Sequence, residues 1–529
     1  MWTQWRRHRL MPAALLAAAC CSETAFAQLT DLTQTPNQEG AGIIKSLQEQ
    51  IGAGVGNATT PGSSVYITQR DPARAIRRGR QIFQRKFTDE QGFGPRAFDG
   101  VGDIHANAAI GAGLIDSCAG CHGRPRGSAG FGGDVATKPD SRDAPHLFGL
   151  GLQEMLADEI TAELRQIRQA AIDEARSRRQ TVTRSLRSKG ISYGTIRASA
   201  NGSVSTSGVR GVNADLRVRP FFAHGDTTSI REFVVGAFND EMGLQAVDPI
   251  TARAAAGQRV VTPTGMVLNG ATDVVKRSLV SSEAEDQDLD GKVNEIPTAL
   301  VDYVEFYLFN YFKPGRYQHT NTAQIGQNLM VQVGCTGCHI PNLVINRDRR
   351  IADVETNYDP NRGVFNNLYA VASLLVGESD DGSGHPTIKV PLRNSFTVRN
   401  FYADMKRHDV GPAFYERNYD GTLRREFMTE PLWGVGSSAP YGHDGRSINL
   451  TEVILRHGGE AQASRNAFAA LSATNRNAIL EFLNSLVLFP PEDTASNLDP
   501  GDPATPGFPQ RGHGSIRLPE VFNDPNDLE

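Results

Sequence analysis

The chain has 529 residues, with 54 Lys+Arg against 59 Asp+Glu and a formal charge of −5. No basic cluster is dense enough to track a nucleic-acid backbone, and no apolar run is long enough to cross a bilayer as a helix. The length suffices for two or three domains with cores of their own.

At the N-terminus Arg6, Arg7 and Arg9 precede an apolar run from Leu10 to Cys21, and Ala25-Phe-Ala27 closes it with small residues. This is the pattern of a secretory signal peptide over residues 1–27. Cys20 and Cys21 are expected to leave with it. Residues 28–66, rich in Gln, Thr, Asn and Gly, read as a linker.

From there the spacing of apolar residues predicts mostly helices. Arg77 to Arg85 forms one. Leu152 to about Ser188 reads as one long charged amphipathic helix, and residues 189–218, broken by Gly and Ser, read as a hairpin or small sheet. Val301 to Phe312 is aromatic-rich and reads as a helical hinge. Thr322 to Val333, Asn449 to His457 and Asn475 to Leu488 complete the helices. Residues 491–529 carry repeated Pro, Asp and Gly and read as an extended tail. The expected class is mainly α with small β insertions, in two units covering residues 67–312 and 313–490.

Each unit holds one copy of a motif that carries chemistry: Cys118-Ala-Gly-Cys121-His122 and Cys335-Thr-Gly-Cys338-His339. Two thiols at this spacing can both add to the vinyl groups of one porphyrin, and the adjacent histidine then ligates the iron. A zinc site or a redox dithiol also uses Cys-x-x-Cys. Two copies, each followed by His, in an exported chain with no other cysteine after its leader, favour two covalently bound haem c groups. Covalent haem attachment in bacteria takes place outside the cytoplasmic membrane, so the expected location is the periplasm.

A second motif lies between the two. Asp286, Asp288 and Asp290 are followed by Gly291, the spacing that opens a calcium loop of the EF-hand type. Pro297 stands where the bidentate glutamate belongs, and Glu295 is the nearest substitute. The alternative is a solvated acidic turn.

Several stretches, in this order, resemble the di-haem cytochrome c peroxidase superfamily, and within it the di-haem oxidoreductase branch. They are Asp116-Ser-Cys-Ala-Gly-Cys-His-Gly, Pro145-His-Leu-Phe-Gly-Leu-Gly-Leu, Ala237-Phe-Asn-Asp-Glu-Met-Gly-Leu, and Pro431-Leu-Trp-Gly-Val-Gly with Ala439-Pro-Tyr-Gly-His-Asp-Gly-Arg446. The resemblance spans about residues 77–490. It implies two cytochrome c-type haem domains, an N-terminal haem where the reaction occurs, and a C-terminal haem that handles electrons.

The resemblance also assigns roles. Glu241 takes the place of the distal glutamate that moves a proton during O–O cleavage; its alternative is a helix-end cap. The superfamily's distal histidine falls at Phe131, which implies an open face above His122. His146 and His105 are the nearest other imidazoles, and His146 reads as a packed residue. His457, fourteen residues after His443, stands where the peroxidases ligate their second haem with methionine. It is therefore the expected sixth ligand opposite His339, with His443 as the alternative. Trp433, Phe221 and Phe222 are candidates for packing around or between the haems. His408 matches a branch motif without a role. Calcium between the domains would fit the superfamily.

The implied partners are peroxide or dioxygen and a soluble electron donor such as a small cytochrome or a cupredoxin. Peroxidase-like reduction is the expected activity. A rubber-oxygenase-like dioxygenase and a non-catalytic electron carrier are the alternatives.

Overall fold

The computed structural model describes residues 54–85, 87, 117–122, 140, 142–276, 278, 280, 282–287, 291–310, 320–358 and 368–486. The expected signal peptide, most of the linker and the tail lie outside them. So do His105, Phe131, Asp288 and Asp290.

Helices dominate and the sheets are small. Seven helices matter for the site: α1 (Pro72–Gln84), α2 (Leu150–Arg178), α3 (Ile230–Gly236), α4 (Thr298–Asn310), α5 (Asn321–Gln332), α6 (Leu450–Arg456) and α7 (Ala473–Asn484). Their starts are chemically set. Asp71 caps α1 through the Arg74 N–H with Pro72 in the first turn, Ser229 caps α3, Thr320 caps α5, Asn449 caps α6 and Ser472 caps α7. Each side-chain oxygen takes an amide that the helix leaves unpaired.

Two helix crossings repeat one device. In the first, α1 lies against α4 at Gly79, where a Cβ would fall on the Tyr303 carbonyl. In the second, α5 lies against α7 at Gly326, where a Cβ would fall on the Ala478 carbonyl. Only glycine allows backbones this close. After each glycine the next apolar pair points inward: Ile82 and Phe83 after Gly79, Leu329 and Met330 after Gly326. Each crossing precedes one Cys-x-x-Cys-His motif in the chain.

The larger core joins α1, α2, α3 and α4, and it also draws in Leu343, Ile345, Val398, Phe401, Ala403, Met405 and Trp433 from later in the chain. The smaller core gathers Ala323, Leu329, Met330, Phe468, Ile479, Phe482 and Leu483 around Tyr402. Each large apolar side chain buried here contributes roughly 1.5–3 kcal/mol. Phe401 and Tyr402, neighbours in sequence, therefore anchor one loop in both cores.

Two expected helices have other bounds, and one stretch holds strands that the sequence did not reveal. The helix expected from Leu152 to Ser188 ends at Arg178, where Arg179 turns left-handed at φ 52°. The β-branched run Thr181-Val182-Thr183 then enters strand β1 (Val182–Ser188), which pairs with β2 (Ile191–Ala198). The Lys189-Gly190 turn between them has positive φ at both positions, 48° and 83°, as a tight hairpin requires. A short β3 (Val204–Ser205) completes this sheet. The aromatic-rich helix expected at 301–312 starts earlier, at Thr298, and all of its described residues through Asn310 are buried. Burial on every side explains its apolar content. Finally, residues 343–428 hold a series of two-stranded pairs, such as Leu343–Ile345 with Phe396–Val398 and Arg407–Asp409 with Glu426–Met428. Their strands are too short to leave a clear alternation.

Candidate functional site

Both Cys-x-x-Cys-His motifs sit in short helical turns, Cys118–His122 and Cys335–Gly337 followed by Cys338 and His339. Among the described residues, none of the four cysteines forms a disulfide. Burial pushes the Cys118 thiol up to about 12 and the Cys335 thiol to about 11, with the neighbouring cysteine of each motif adding to it. A redox dithiol or a thiolate metal site needs the opposite shift. Cys118 and Cys335 show the reverse of that shift.

The histidines are prepared in one common way. His122 donates from Nδ1 to the Pro145 carbonyl at 2.7 Å. His339 donates from Nδ1 to the Tyr402 carbonyl at 2.8 Å. His457 donates from Nδ1 to the Val453 carbonyl at 2.7 Å. A carbonyl can only accept, so each bond places the proton on Nδ1 and leaves the Nε2 lone pair bare. Burial lowers the pKa of all three, that of His339 to about 4, so they stay neutral at ordinary pH. A neutral imidazole with its far nitrogen fixed by a carbonyl is the form that ligates a metal. His457 ends α6 as its C-cap. A charge on His457 would also lower the pKa of His339, so the two rings are near enough to interact through space.

His443 goes elsewhere. Its ring stacks on Phe427 at 4.3 Å, and Nε2 lies 3.8 Å from Glu416 Oε2. Glu416 accepts from Arg142 at 3.0 and 2.8 Å and from His224 Nε2 at 3.1 Å. This buried cluster ties residues of the N-terminal half to the strand Glu416–Arg417. Sequence reading missed it, because Glu416 lies 192 positions from His224 and 274 from Arg142.

His146 is packed. Its Nε2–H donates to the Trp433 carbonyl at 3.1 Å, and burial lowers its pKa to about 4. Trp433 is fully buried, with its ring against Gly149 and 5.1 Å from Phe401. The amide of Leu432 donates to the Phe401 carbonyl at 3.1 Å. Four hydrogen bonds thus join the two motif histidines through main chain: His122 to Pro145, His146 to Trp433, Leu432 to Phe401, and Tyr402 to His339. Trp433 Nε1 is buried with no hydrogen-bond partner among the described residues. An orphaned buried donor costs about 1–3 kcal/mol. A carboxylate carried by a cofactor between the motifs would satisfy it, so the residues fit haem.

Glu241 ends a π-helical turn, Ala237–Glu241, that continues α3. The next residue, Met242, has its sulfur 3.8 Å from Cys118 Sγ. The segment carrying Glu241 therefore lies beside the first motif. Phe222 packs on Phe233 at 5.3 Å, and Phe233 stands 6.0 Å from the His122 ring. Phe221 is buried next to Phe233 at 6.3 Å.

In the acidic loop, Asp286 Oδ2 accepts the Gly291 N–H at 2.9 Å, the closure that a calcium loop makes between its first and sixth positions. Glu295 Oε2 accepts the Gln245 amide at 2.5 Å. This ties the loop to the stretch that follows Glu241.

Residues 370–486 match a family model described as "di-haem oxidoreductase, putative peroxidase". That segment of the chain is similar to the di-haem oxidoreductases. No curated protein matches. Among solved structures, a MauG-like protein associated with microbial copper homeostasis shares 14% identity, with a TM-score of 0.25, over 64% of this chain and 88% of that one. A hydrazine synthase of Kuenenia stuttgartiensis shares 16% identity, with a TM-score of 0.21, over 36% of this chain. The match spans 55% of the hydrazine synthase chain. Among the described residues, no helix is long and apolar enough to cross a membrane.

Proposed function

We propose that this chain is a di-haem oxidoreductase that works in the periplasm with two covalent haem c groups, and reduces peroxide at the N-terminal one with electrons passed through the C-terminal one. Cys118 and Cys121 would hold the first group and Cys335 and Cys338 the second. His122 and His339 would bind the two irons through Nε2, and His457 would cap the second. When bound, haem supplies a one-electron redox centre and an iron site for a small oxygen substrate.

The chain's own residues set the rest. The Pro145 carbonyl holds His122 in the tautomer that can ligate, and Tyr402 does the same for His339. Glu241, beside the first motif, is the group that moves a proton between the two oxygens of a bound peroxide. Phe221 and Phe233, both buried, would keep water from the side of His122 that Phe233 faces. The hydrogen-bonded path through His146 and Trp433 couples the two histidines and gives electrons a covalent and hydrogen-bonded route. Calcium at Asp286, Asp288 and Asp290 would steady the loop tied to Gln245.

The observation that carries this reading is the unequal treatment of two similarly prepared histidines. His339 has His457 as its neighbour, whereas His146, close to His122, is spent on Trp433. The test is peroxide-dependent oxidation of a reduced small cytochrome or cupredoxin by the haem-loaded protein. Turnover supports the proposal. No turnover with peroxide, together with oxygen uptake on a hydrophobic polyene, replaces it with an oxygenase.

A further inference from the structure

His408 has no part in the reading so far, yet it is among the most constrained histidines of the chain. It lies on the strand Arg407–Asp409 and is 6% exposed. Its Nε2 is 2.9 Å from Asp404 Oδ2 and its Nδ1 is 2.9 Å from Glu460 Oε2. Both partners only accept, so both ring nitrogens carry protons and the ring is an imidazolium. Burial opposes the charge, but the Asp404 and Cys338 hydrogen bonds and the two carboxylates raise the pKa to about 11. Cys338 Sγ lies within 4.8 Å of the Asp404 and His408 atoms. A metal there would need a bare ring nitrogen, and neither is bare.

The two carboxylates belong to different loops. Asp404 follows Tyr402, whose carbonyl fixes His339. Glu460 follows His457 by three residues. The same strand reinforces the second loop, since the Asp409 amide donates to Glu460 Oε1 at 3.1 Å and the Gly458 amide donates to the Val410 carbonyl at 2.8 Å. The first loop needs holding. Asn400, Tyr402 and Met405 all have positive φ, 55°, 55° and 59°. Left-handed backbone at Tyr and Met costs about 1–2 kcal/mol per residue and persists only where surrounding contacts fix it.

We propose that His408 is a positioning residue that clamps together the loops on the two sides of the second haem, and so keeps His457 on the iron. This rests on the reading that His457 is that iron's sixth ligand. The clamp is ionic at both ends. Removing the central cation leaves buried Asp404 with Lys406 alone, its ammonium 4.0 Å away, and loosens Glu460, and with it the loop that carries His457.

Carbon monoxide binding to the reduced, haem-loaded protein tests this, because it counts irons with an exchangeable position. The parent should bind at the first iron alone. His457→Ala should open the second iron, and His408→Asn should open it in part. Glu460→Ala should do so to a smaller degree, and its side chain is 56% exposed, so the variant will fold even if His408→Asn does not. A purely structural His408 would lower the melting temperature without changing the binding count. If His457→Ala opens the second iron while Glu460→Ala and His408→Asn leave it closed, the clamp is wrong and the ligand assignment stands. If His457→Ala opens nothing, the assignment falls, and the clamp with it.

Discussion

The Nε2–H of His146 donates to the Trp433 carbonyl at 3.1 Å, and this bond joins the loop that steadies His122 to the loop that steadies His339. The alternative bridge, through the Glu416 cluster, connects side chains and not the two motif histidines. The His146 bond is therefore the weak link of the main-chain path, and it can be cut without touching a cysteine or a ligand.

His146→Phe keeps the aromatic packing with Phe148 and removes the bond. Stability should fall by about 1 kcal/mol, the usual net worth of one buried hydrogen bond. Electron transfer between the haems, followed by flash photolysis or stopped-flow absorbance, should slow by about tenfold, as for a barrier raised by some 1.4 kcal/mol. An unchanged rate would move the route away from this bond.

Glu241→Gln removes the proton carrier and keeps the shape of the turn. Turnover with peroxide should fall by roughly a hundredfold or more, the usual contribution of a positioned acid–base group. Haem content and the visible spectrum of the resting protein should not change. If activity survives, Glu241 caps the turn and the proton takes another path.

Acid should loosen the Glu416 cluster. Burial pushes the Glu416 carboxyl up, but hydrogen bonds from His224 and Arg142, with their charges, bring it down to about 2. A depressed folded-state value means the stabilisation is complete above the ordinary 4.5 and fades as pH falls through about 2. Glu416→Gln should therefore cost roughly 3 kcal/mol at neutral pH, as for a broken buried pair. Thermal unfolding of both proteins across this range should show the gap closing below pH 4.5. A gap that is constant with pH would remove the charge from the account.

Much of the site was written in local sequence. The Cys-x-x-Cys-His motifs need five consecutive residues each, and the crossings announce themselves as glycine followed by an inward apolar pair, Gly79 with Ile82 and Phe83, Gly326 with Leu329 and Met330. The family resemblance singled out His457, fourteen residues after His443, and the folded chain fixes its Nδ1 on the Val453 carbonyl. The carbonyls of Pro145, Tyr402 and Val453 were not, because any residue carries one and only the folded chain aims it. The ion cluster of Arg142, His224 and Glu416 was hidden by distance along the chain. His408 stood out as a motif, but its meaning depends on Asp404 and Glu460 meeting across two loops. The short strands between 343 and 428 left too few residues to reveal a period of two.

The central claim is that one iron keeps an open position above His122 while the other is held between His339 and His457. Electron-paramagnetic resonance of the oxidised, haem-loaded protein reads both at once. The account predicts one high-spin and one low-spin haem signal in equal amounts, with the low-spin signal lost in His457→Ala. Two low-spin signals in the parent protein would contradict it, and would leave a chain that carries electrons without reducing peroxide.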